Sequence, residues 1–185
     1  MRIITGIYKG RHFDIPHSFK ARPTTDFAKE NLFNVLQGYI DLEEVCALDL
    51  FSGTGSITLE LLSRGCKDVV SVEKDRDHSN FIRQCVEKLN IAAEGQTHRL
   101  IRGDAFKYLK SCKQQFDLIF ADPPYAIEGI ETIPGLALPL LKPEGVLVVE
   151  HGKKNDFSAL PQFFDHRQYG SVNFSMFRNE VETEE

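Results

Sequence analysis

Hydrophobic residues form short, nearly continuous runs from position 45 onward, and these runs alternate with segments whose apolar residues recur at helical spacing. Such runs are typical of parallel strands that helices cover on both faces. The pattern predicts strands at 45–50, 69–72, 98–102, 118–121 and 146–150. Helices are predicted between them, near 56–64, 75–90, 105–110 and 128–141. We therefore expect a doubly wound α/β fold.

The two ends of the chain depart from this alternation. Short apolar runs at 3–8 and 12–15 flank a glycine-containing turn and predict a hairpin, and a helix is predicted over 25–38. Near the other end, runs at 162–169 and 172–178 predict an antiparallel hairpin at the edge of the sheet. We expect an N-terminal extension over 1–40 and a main domain over 41–185 that holds a mostly parallel, seven-stranded sheet.

Composition narrows the class of protein. The 185 residues, 42% of them hydrophobic, can bury one full core. The four cysteines form no C-x-x-C pair and the six histidines lack ligand spacing, so we expect reduced thiols and no metal site. No apolar stretch approaches the roughly 20 residues of a membrane span, and the first residues do not resemble a signal peptide. A cytoplasmic monomer is expected.

Positive charge is concentrated near the N-terminus. Residues 1–40 carry six Lys or Arg against three Asp or Glu, whereas residues 41–185 carry sixteen against twenty-four. The net charge of −5 argues against a protein that wraps nucleic acid over its whole surface. Lys9, Arg11 and Arg22 are the candidates for phosphate contacts. An ordinary solvated basic face would give the same pattern.

The sequence Asp122-Pro123-Pro124-Tyr125 follows the predicted strand at 118–121. Open α/β sheets hold ligands at this end of their strands. Each proline removes a backbone donor and fixes φ, so the carbonyls of Asp122 and Pro123 are free to accept hydrogen bonds from a ligand, and Tyr125 offers a stacking surface. The group suits a planar substrate that carries an amine. Asp-Pro is also common in structural turns, so the motif alone does not decide.

The first strand-to-helix turn carries a second candidate site. It holds Asp49, Phe51 and Ser52, followed by glycines at Gly53 and Gly55 that allow close approach of a ligand to the backbone and to a helix N-terminus. The third glycine of the dinucleotide fingerprint is missing. The loop therefore favours a smaller nucleoside ligand such as S-adenosylmethionine over a pyrophosphate, with a purely structural turn as the alternative.

Acidic residues end the next two predicted strands. Glu73, followed by Lys74, stands about twenty residues after the turn, where a carboxylate can accept both hydroxyls of a ribose. Asp104 is placed to receive an adenine amine, with Ala105 and Phe106 beside the ring. Helix capping is the alternative for Glu73 and Asp104. Three successive strands that end in this way, with the D-P-P-Y sequence on the fourth, favour one shared ligand site.

These segments together resemble the class I S-adenosylmethionine-dependent methyltransferases, and within them the RsmD-like enzymes that methylate a guanine N2 in 16S ribosomal RNA. The resemblance covers nearly the whole chain. It rests on the N-terminal pattern at 2–11 and 22–34, on the cofactor loop at 49–55 and on the catalytic loop at 122–125. The D-P-P-Y sequence alone would also fit adenine N6 methyltransferases, and the N-terminal pattern narrows the choice.

The resemblance implies a Rossmann-like fold, S-adenosylmethionine as the methyl donor, and a guanine of the small ribosomal subunit, assembled or assembling, as substrate. It also implies that Thr25 lies over the methionine end of the cofactor. Asp122 and Pro123 would accept hydrogen bonds from the guanine amine while Tyr125 stacks on the base. The alternatives are a DNA adenine N6 methyltransferase, a glutamine-modifying methyltransferase and a non-catalytic assembly factor.

Overall fold

A computed structural model describes residues 1–20 and 24–179 and contains one seven-stranded sheet with the strand order β3-β2-β1-β4-β5-β7-β6. Strands β1 to β5 are parallel, and β7 runs antiparallel to both β5 and β6. The strands are β1 Cys46–Leu50, β2 Asp68–Glu73, β3 Thr97–Arg102, β4 Phe116–Ala121, β5 Leu141–His151, β6 Phe163–Tyr169 and β7 Val172–Arg178. The predicted α/β fold with its C-terminal hairpin is confirmed.

Helices cover both faces of the sheet. They are α1 Asp26–Leu36, α2 Ser56–Ser63, α3 Arg76–Glu87, α4 Ala105–Ser111 and α5 Ile133–Ala137. Side chains alternate along β1, so Ala47 packs with α1, α2 and α3, whereas Leu48 packs in a second hydrophobic cluster with α4 and α5. Among residues 1–20 and 24–179, no helix is both long and apolar enough to span a membrane.

The strand order reverses between β1 and β4, because the chain leaves β1 toward β2 on one side and returns to β4 on the other. Such a reversal opens a crevice at the carboxyl ends of the two strands, since the connections diverge there to opposite sides. The predicted cofactor loop follows β1 and the D-P-P-Y sequence follows β4. The topology therefore brings the two candidate sites to one edge of the sheet.

The predicted N-terminal hairpin is present but shorter than expected, since Ile3 N–H donates to the carbonyl of Arg11 at 3.0 Å and Gly10 N–H donates to the carbonyl of Ile3 at 2.9 Å. The chain does reverse, but the segment contains a single antiparallel bridge, between Arg2 and His12. The backbone N–H groups of Ile4 and Thr5 donate instead to the carboxylate of Glu60, at 2.9 and 3.0 Å. Pairing between the two arms therefore ends after Ile3, because the buried carboxylate of α2 takes the next two donors.

The single helix predicted over 128–141 is also wrong. A left-handed glycine, Gly129, precedes a 3-10 turn at Ile130–Thr132, and a second 3-10 turn at Leu138–Leu140 follows the short α5. Pro134 and Pro139 lack the N–H that a continuous helix needs beyond its first turn. Strand β5 then begins at Leu141, earlier than predicted.

Candidate active site

One cavity of about 1030 Å³ lies at the carboxyl ends of the five parallel strands β1 to β5. Its volume is at the upper end of the roughly 300–1,000 Å³ that is usual for small-molecule sites, so it has room for a nucleoside ligand and part of a second molecule. The predicted site residues that line it are Thr25, Asp49, Phe51, Ser52, Gly53, Glu73, Lys74, Asp104, Ala105, Asp122, Pro123, Pro124 and Tyr125. The structure therefore brings both predicted halves of the site into one space.

The loop after β1 takes the tight path that its glycines allow. Gly53 has φ +56°, and even Phe51 is left-handed, with φ +57°. The N–H of Gly53 donates to Glu73 Oε2 at 2.6 Å, which ties the loop to the end of β2. The Ser52 hydroxyl donates to the carbonyl of Asp49 at 2.7 Å. These bonds preorganise the backbone that borders the cavity.

Glu73 and Asp104 both accept hydrogen bonds from backbone N–H groups, and only Asp104 caps a helix. Glu73 Oε1 accepts from the N–H of Asp75 at 2.9 Å, so both of its oxygens already bind backbone. Asp104 Oδ1 accepts from the N–H of Lys107 at 3.0 Å and thereby caps α4. An ionised carboxylate has about four lone-pair sites, so capping leaves acceptor capacity for a ligand in the cavity.

Asp49 is the most buried acid of the cofactor loop, with 1% exposure. Thr58 of α2 donates to Asp49 Oδ2 at 2.7 Å. Burial raises the pKa of the Asp49 carboxyl to about 7, and the Thr58 hydroxyl opposes that rise. Nearby Asp122 and Glu73 raise this pKa further, because like charges disfavour ionisation.

The D-P-P-Y loop places an acid inside the cavity and an aromatic ring at its mouth. Burial raises the pKa of Asp122 well above its usual value, and the neighbouring Glu150 raises it further. The Tyr125 side chain is 58% exposed, and Gly152 lies against one part of its ring.

Glu150, at the end of β5, also lines the cavity and was missed by the sequence reasoning. Its residue is 5% exposed, and burial raises its pKa to about 7. The sequence does contain a pattern that indicates Glu150, since the predicted fifth strand ends at this acid just as the second ends near Glu73. Applying the strand-end rule to that strand would have found it.

Two predicted cofactor contacts lie just behind the cavity wall rather than on it. Gly55 begins α2 with φ +82°, and a Cβ at this position would come within 2.9 Å of Ile82 Cγ1, so its glycine serves close packing of α2 on α3. Phe106 packs edge-on against Phe51 with ring centroids 5.9 Å apart. It therefore supports a cavity residue and does not border the cavity itself.

The predicted phosphate contacts lie elsewhere. Arg11 donates through Nη2 to the carbonyl of Lys88, which caps the carboxyl end of α3. The cavity adjoins the opposite end of this 12-residue helix, about 18 Å away at 1.5 Å per residue. Lys9 lies in the exposed turn that precedes Arg11. Arg22 lies outside the described residues.

Comparison with known proteins identifies the family of the chain. Residues 1–178 match the family model described as "Conserved hypothetical protein 95". The chain belongs to this family. Two relatives named ribosomal RNA small subunit methyltransferase D are each 31% identical: the Haemophilus influenzae protein, over 97% of this chain and 94% of its own length, and the Escherichia coli protein, over 100% and 92%. The resemblance to RsmD-like proteins is confirmed.

Solved structures agree with the fold. The Escherichia coli protein yhhF superposes with a TM-score of 0.82 at 27% identity, over 98% of this chain and 99% of its own. The Thermus thermophilus 16S rRNA N2 G1207 methyltransferase, determined with AdoMet and guanosine, has a TM-score of 0.67 at 20% identity, over 88% of this chain and 45% of its own. The fold is the Rossmann-like fold of class I methyltransferases.

Within the part of the chain that the structure describes, no group of three or more His, Cys, Asp or Glu residues is arranged to hold a metal ion. The titratable residues that line the cavity are mainly acidic. Six carboxyl groups stand against the three cationic side chains of Lys20, Lys74 and Arg76. An acidic cavity of this kind favours a ligand that carries positive charge.

Proposed function

We propose that this protein transfers the methyl group of S-adenosylmethionine to the exocyclic N2 amine of a guanine in 16S ribosomal RNA of the small subunit. The observation that carries the proposal is the single cavity in which Glu73 and Tyr125 both take part. It joins a nucleoside-binding end to a D-P-P-Y end. The names of the methyltransferase D relatives support the same activity.

The residues present fit S-adenosylmethionine, whose sulfonium supplies an electrophilic methyl group. Its positive charge suits the acidic cavity, and Glu73 retains lone pairs for ribose hydroxyls. Asp104 and Ala105 stand at the third strand end for the adenine, while Thr25 and Asp49 line the part of the cavity near the start of α2. No metal is needed for this chemistry, since the sulfonium carries its own leaving group.

The protein's main contribution to the reaction is alignment. The Asp122 carboxyl and the Pro123 carbonyl accept hydrogen bonds from the amine and direct its lone pair toward the methyl carbon. Orientation of this kind supplies roughly 7–11 kcal/mol in favourable systems. Asp122 also stabilises the positive charge that develops on nitrogen, because its carboxyl oxygen accepts a hydrogen bond from that amine. Stacking of the base on Tyr125 adds about 1–3 kcal/mol to binding.

RNA phosphates require cations near the mouth of the cavity, and three described residues meet that requirement directly: Lys20, Lys74 and Arg76. Lys153 and Lys154 follow Gly152, which lies against the ring of Tyr125, and both are exposed. We propose these five residues as the contacts nearest the target nucleotide. Lys9 and Arg11 stay proposed contacts for more distant phosphates of a large substrate, together with Arg22.

We further propose that residues 1–40 act as an extension that contacts both RNA and cofactor, because Lys20 and Thr25 in this segment line the cavity. A small basic mouth on a chain of net charge −5 suits RNA that is already folded into a subunit, assembled or assembling. The proposed state is a cytoplasmic monomer.

The deciding experiment measures transfer of a tritiated methyl group to naked ribosomal RNA, to small subunits that lack the mark, and to duplex DNA, followed by nucleoside analysis. We expect N2-methylguanosine from the ribosomal substrates and no product from DNA. A methyl group on adenine N6 would replace the proposal with the adenine alternative. Absence of transfer to every substrate, with S-adenosylmethionine bound, would leave the non-catalytic alternative.

Two variants test the residue assignment. Asp122→Ala should abolish transfer and leave cofactor affinity largely intact, because Asp122 faces the amine in this proposal. Glu87→Ala is the control, since Glu87 is exposed on α3 and absent from the cavity wall. Turnover by Asp122→Ala at the rate of the control would defeat the assignment.

A further inference from the structure

Asp122 and Glu150 are brought together by the register of two neighbouring strands. Ala121 of β4 is paired with Val149 of β5, so the next residue of each strand lies beside the other. Side chains alternate along a strand, and both acids therefore project from the same face of the sheet. Both line the cavity. Two acidic side chains thus stand next to each other at the point where the D-P-P-Y loop begins.

One oxygen of Glu150 lacks a protein donor. Glu150 Oε2 is fully buried and meets no hydrogen-bond partner within residues 1–20 and 24–179. An unpaired buried acceptor costs about 1–3 kcal/mol, so native proteins rarely retain one without a function. Glu73, the other acid at a strand end of this cavity, has both oxygens satisfied by backbone N–H groups. Glu150 Oε2 is therefore an oxygen at a strand end of this cavity that no protein donor satisfies.

One proton shared by the pair accounts for its stability in a buried position. Two adjacent ionised carboxyls would repel, and burial already disfavours the charge of each, which raises the pKa of both Asp122 and Glu150. A proton held between facing oxygens removes the repulsion. One oxygen on each residue then remains as an acceptor, and the pair presents two neighbouring acceptors to the cavity.

Guanine has the complementary edge. Its N2 amine and its N1–H are adjacent donors, whereas adenine places an acceptor, N1, beside its N6 amine. Enzymes that act on a base swung out of its helix read this edge by hydrogen bonds. Two adjacent acceptors therefore match guanine and oppose the N1 lone pair of adenine.

We propose that Glu150 selects guanine as the substrate base by accepting a hydrogen bond from its N1–H while Asp122 binds the N2 amine. This inference rests on the proposed function and deepens it. The D-P-P-Y loop positions an amine of either purine, and the neighbouring strand supplies the group that distinguishes them. Glu150 is a specificity-determining residue in this arrangement, and the methyl group need not pass near it.

The test compares Glu150→Leu, Glu150→Gln and Glu144→Gln with the unaltered protein. Glu144 lies on the same strand, is exposed and is absent from the cavity wall, so its variant controls for loss of an acid from β5. The assay is methyl transfer to small subunits that lack the mark, with binding of S-adenosylhomocysteine measured by calorimetry. We expect Glu150→Leu to lower kcat/KM at least about tenfold, a change of about 1.4 kcal/mol, without weakening S-adenosylhomocysteine binding.

The kcat/KM of Glu150→Gln should lie between those of Glu150→Leu and the unaltered protein. Its amide can donate to Asp122 and its carbonyl oxygen can still accept from N1–H, as the protonated pair does. Unchanged kcat/KM in Glu150→Leu would overturn the inference. Equal loss of S-adenosylhomocysteine affinity and activity in both Glu150 variants would also overturn it, because that pattern marks a structural role.

A second measurement addresses the base directly. The protein with S-adenosylhomocysteine is titrated with guanosine and with 2-aminopurine riboside, which keeps the N2 amine and replaces N1–H by a lone pair. The unaltered protein should prefer guanosine about tenfold or more, and Glu150→Leu should lose that preference. An equal preference in both proteins would overturn the inference even if the ribosomal product is N2-methylguanosine. A product on adenine would instead sink the proposed function itself.

Discussion

The buried ion pair between Lys29 and Glu60 gives a sharp test of how the N-terminal segment is held. Lys29 of α1 is 1% exposed, and its ammonium donates to the carbonyl of Arg2 at 2.7 Å and to Ser56 Oγ at 3.0 Å. Its Nζ lies 3.6 Å from Glu60 Oε2. Lys29→Met keeps much of the side-chain volume and removes the charge and both donated hydrogen bonds.

The expected loss in the free energy of unfolding depends on which partners Glu60 keeps in the variant. Removing one partner of a buried pair costs about 3–5 kcal/mol, because the other charge stays buried. Arg64 still lies 3.0 Å from Glu60, which favours the lower end of that range. Burial lowers the pKa of Lys29 more than Glu60 restores it, so the ammonium is itself held at some cost. A loss of about 3 kcal/mol corresponds to a decrease in Tm of roughly 6–12 °C for a domain of this size.

Thermal unfolding followed by circular dichroism at pH 7 measures the effect, with Lys67→Met as the control. Lys67 Nζ lies only 2.6 Å from Glu44 Oε2, but these side chains are 59% and 75% exposed. Solvent screening makes such a pair weak, so the control should show no measurable change in Tm. If Lys67→Met lowered Tm as much as Lys29→Met, the argument that burial rather than distance decides the contribution would be refuted.

Two further substitutions test the cofactor loop. Gly55→Ala should lower Tm more than Gly95→Ala. Both glycines have positive φ, but only a Cβ at Gly55 would meet a side chain, Ile82 Cγ1 at 2.9 Å. Equal decreases in Tm would show that packing against Ile82 plays no part. Asp49 has a folded pKa of about 7, above its unfolded value of 3.8, so its contribution to stability is complete below pH 3.8 and is lost as the pH rises through 7. The free energy of unfolding of Asp49→Asn, measured in urea, should therefore rise relative to that of the unaltered protein between pH 5 and pH 8, since Thr58 can still donate to the amide oxygen. A difference between the two proteins that stays constant over this pH range would contradict the assigned pKa.

The sequence alone was sufficient to predict strands and site residues where the informative residues are contiguous in the chain. The strand at 118–121 and the D-P-P-Y sequence that follows it are contiguous, and the glycines of the first loop directly follow their strand. Helices alternate with these strands, and right-handed crossovers then leave few topologies to consider. Thirteen predicted contacts consequently line one cavity. These residues could be predicted without knowing the strand register, because all of them except Thr25, the N-cap of α1, stand at or just after strand ends that share one edge.

Local pattern failed where a distant group competed for the backbone. The run at 3–8 has the alternation of a strand, but the N–H groups of Ile4 and Thr5 donate to Glu60, more than fifty residues away. The position of Arg11 depends in the same way on which end of α3 the N-terminal turn packs against. Summed charge over residues 1–40 cannot reveal that choice, since charge density along a sequence carries no information on distance from the cavity.

The pairing of Asp122 with Glu150 shows why a catalytic motif does not specify its base. In the proposed function, the D-P-P-Y loop holds an amine between the Asp122 carboxyl and the Pro123 carbonyl, and purines that carry an exocyclic amine satisfy both. Discrimination between guanine and adenine needs a contact with N1, the ring atom next to the carbon that carries the amine. In this proposal the contact comes from Glu150, on the strand that neighbours the D-P-P-Y loop. Since Glu150 follows Asp122 by twenty-eight positions and meets it through the β4–β5 register, specificity here is a property of strand pairing and changes independently of the motif that holds the amine.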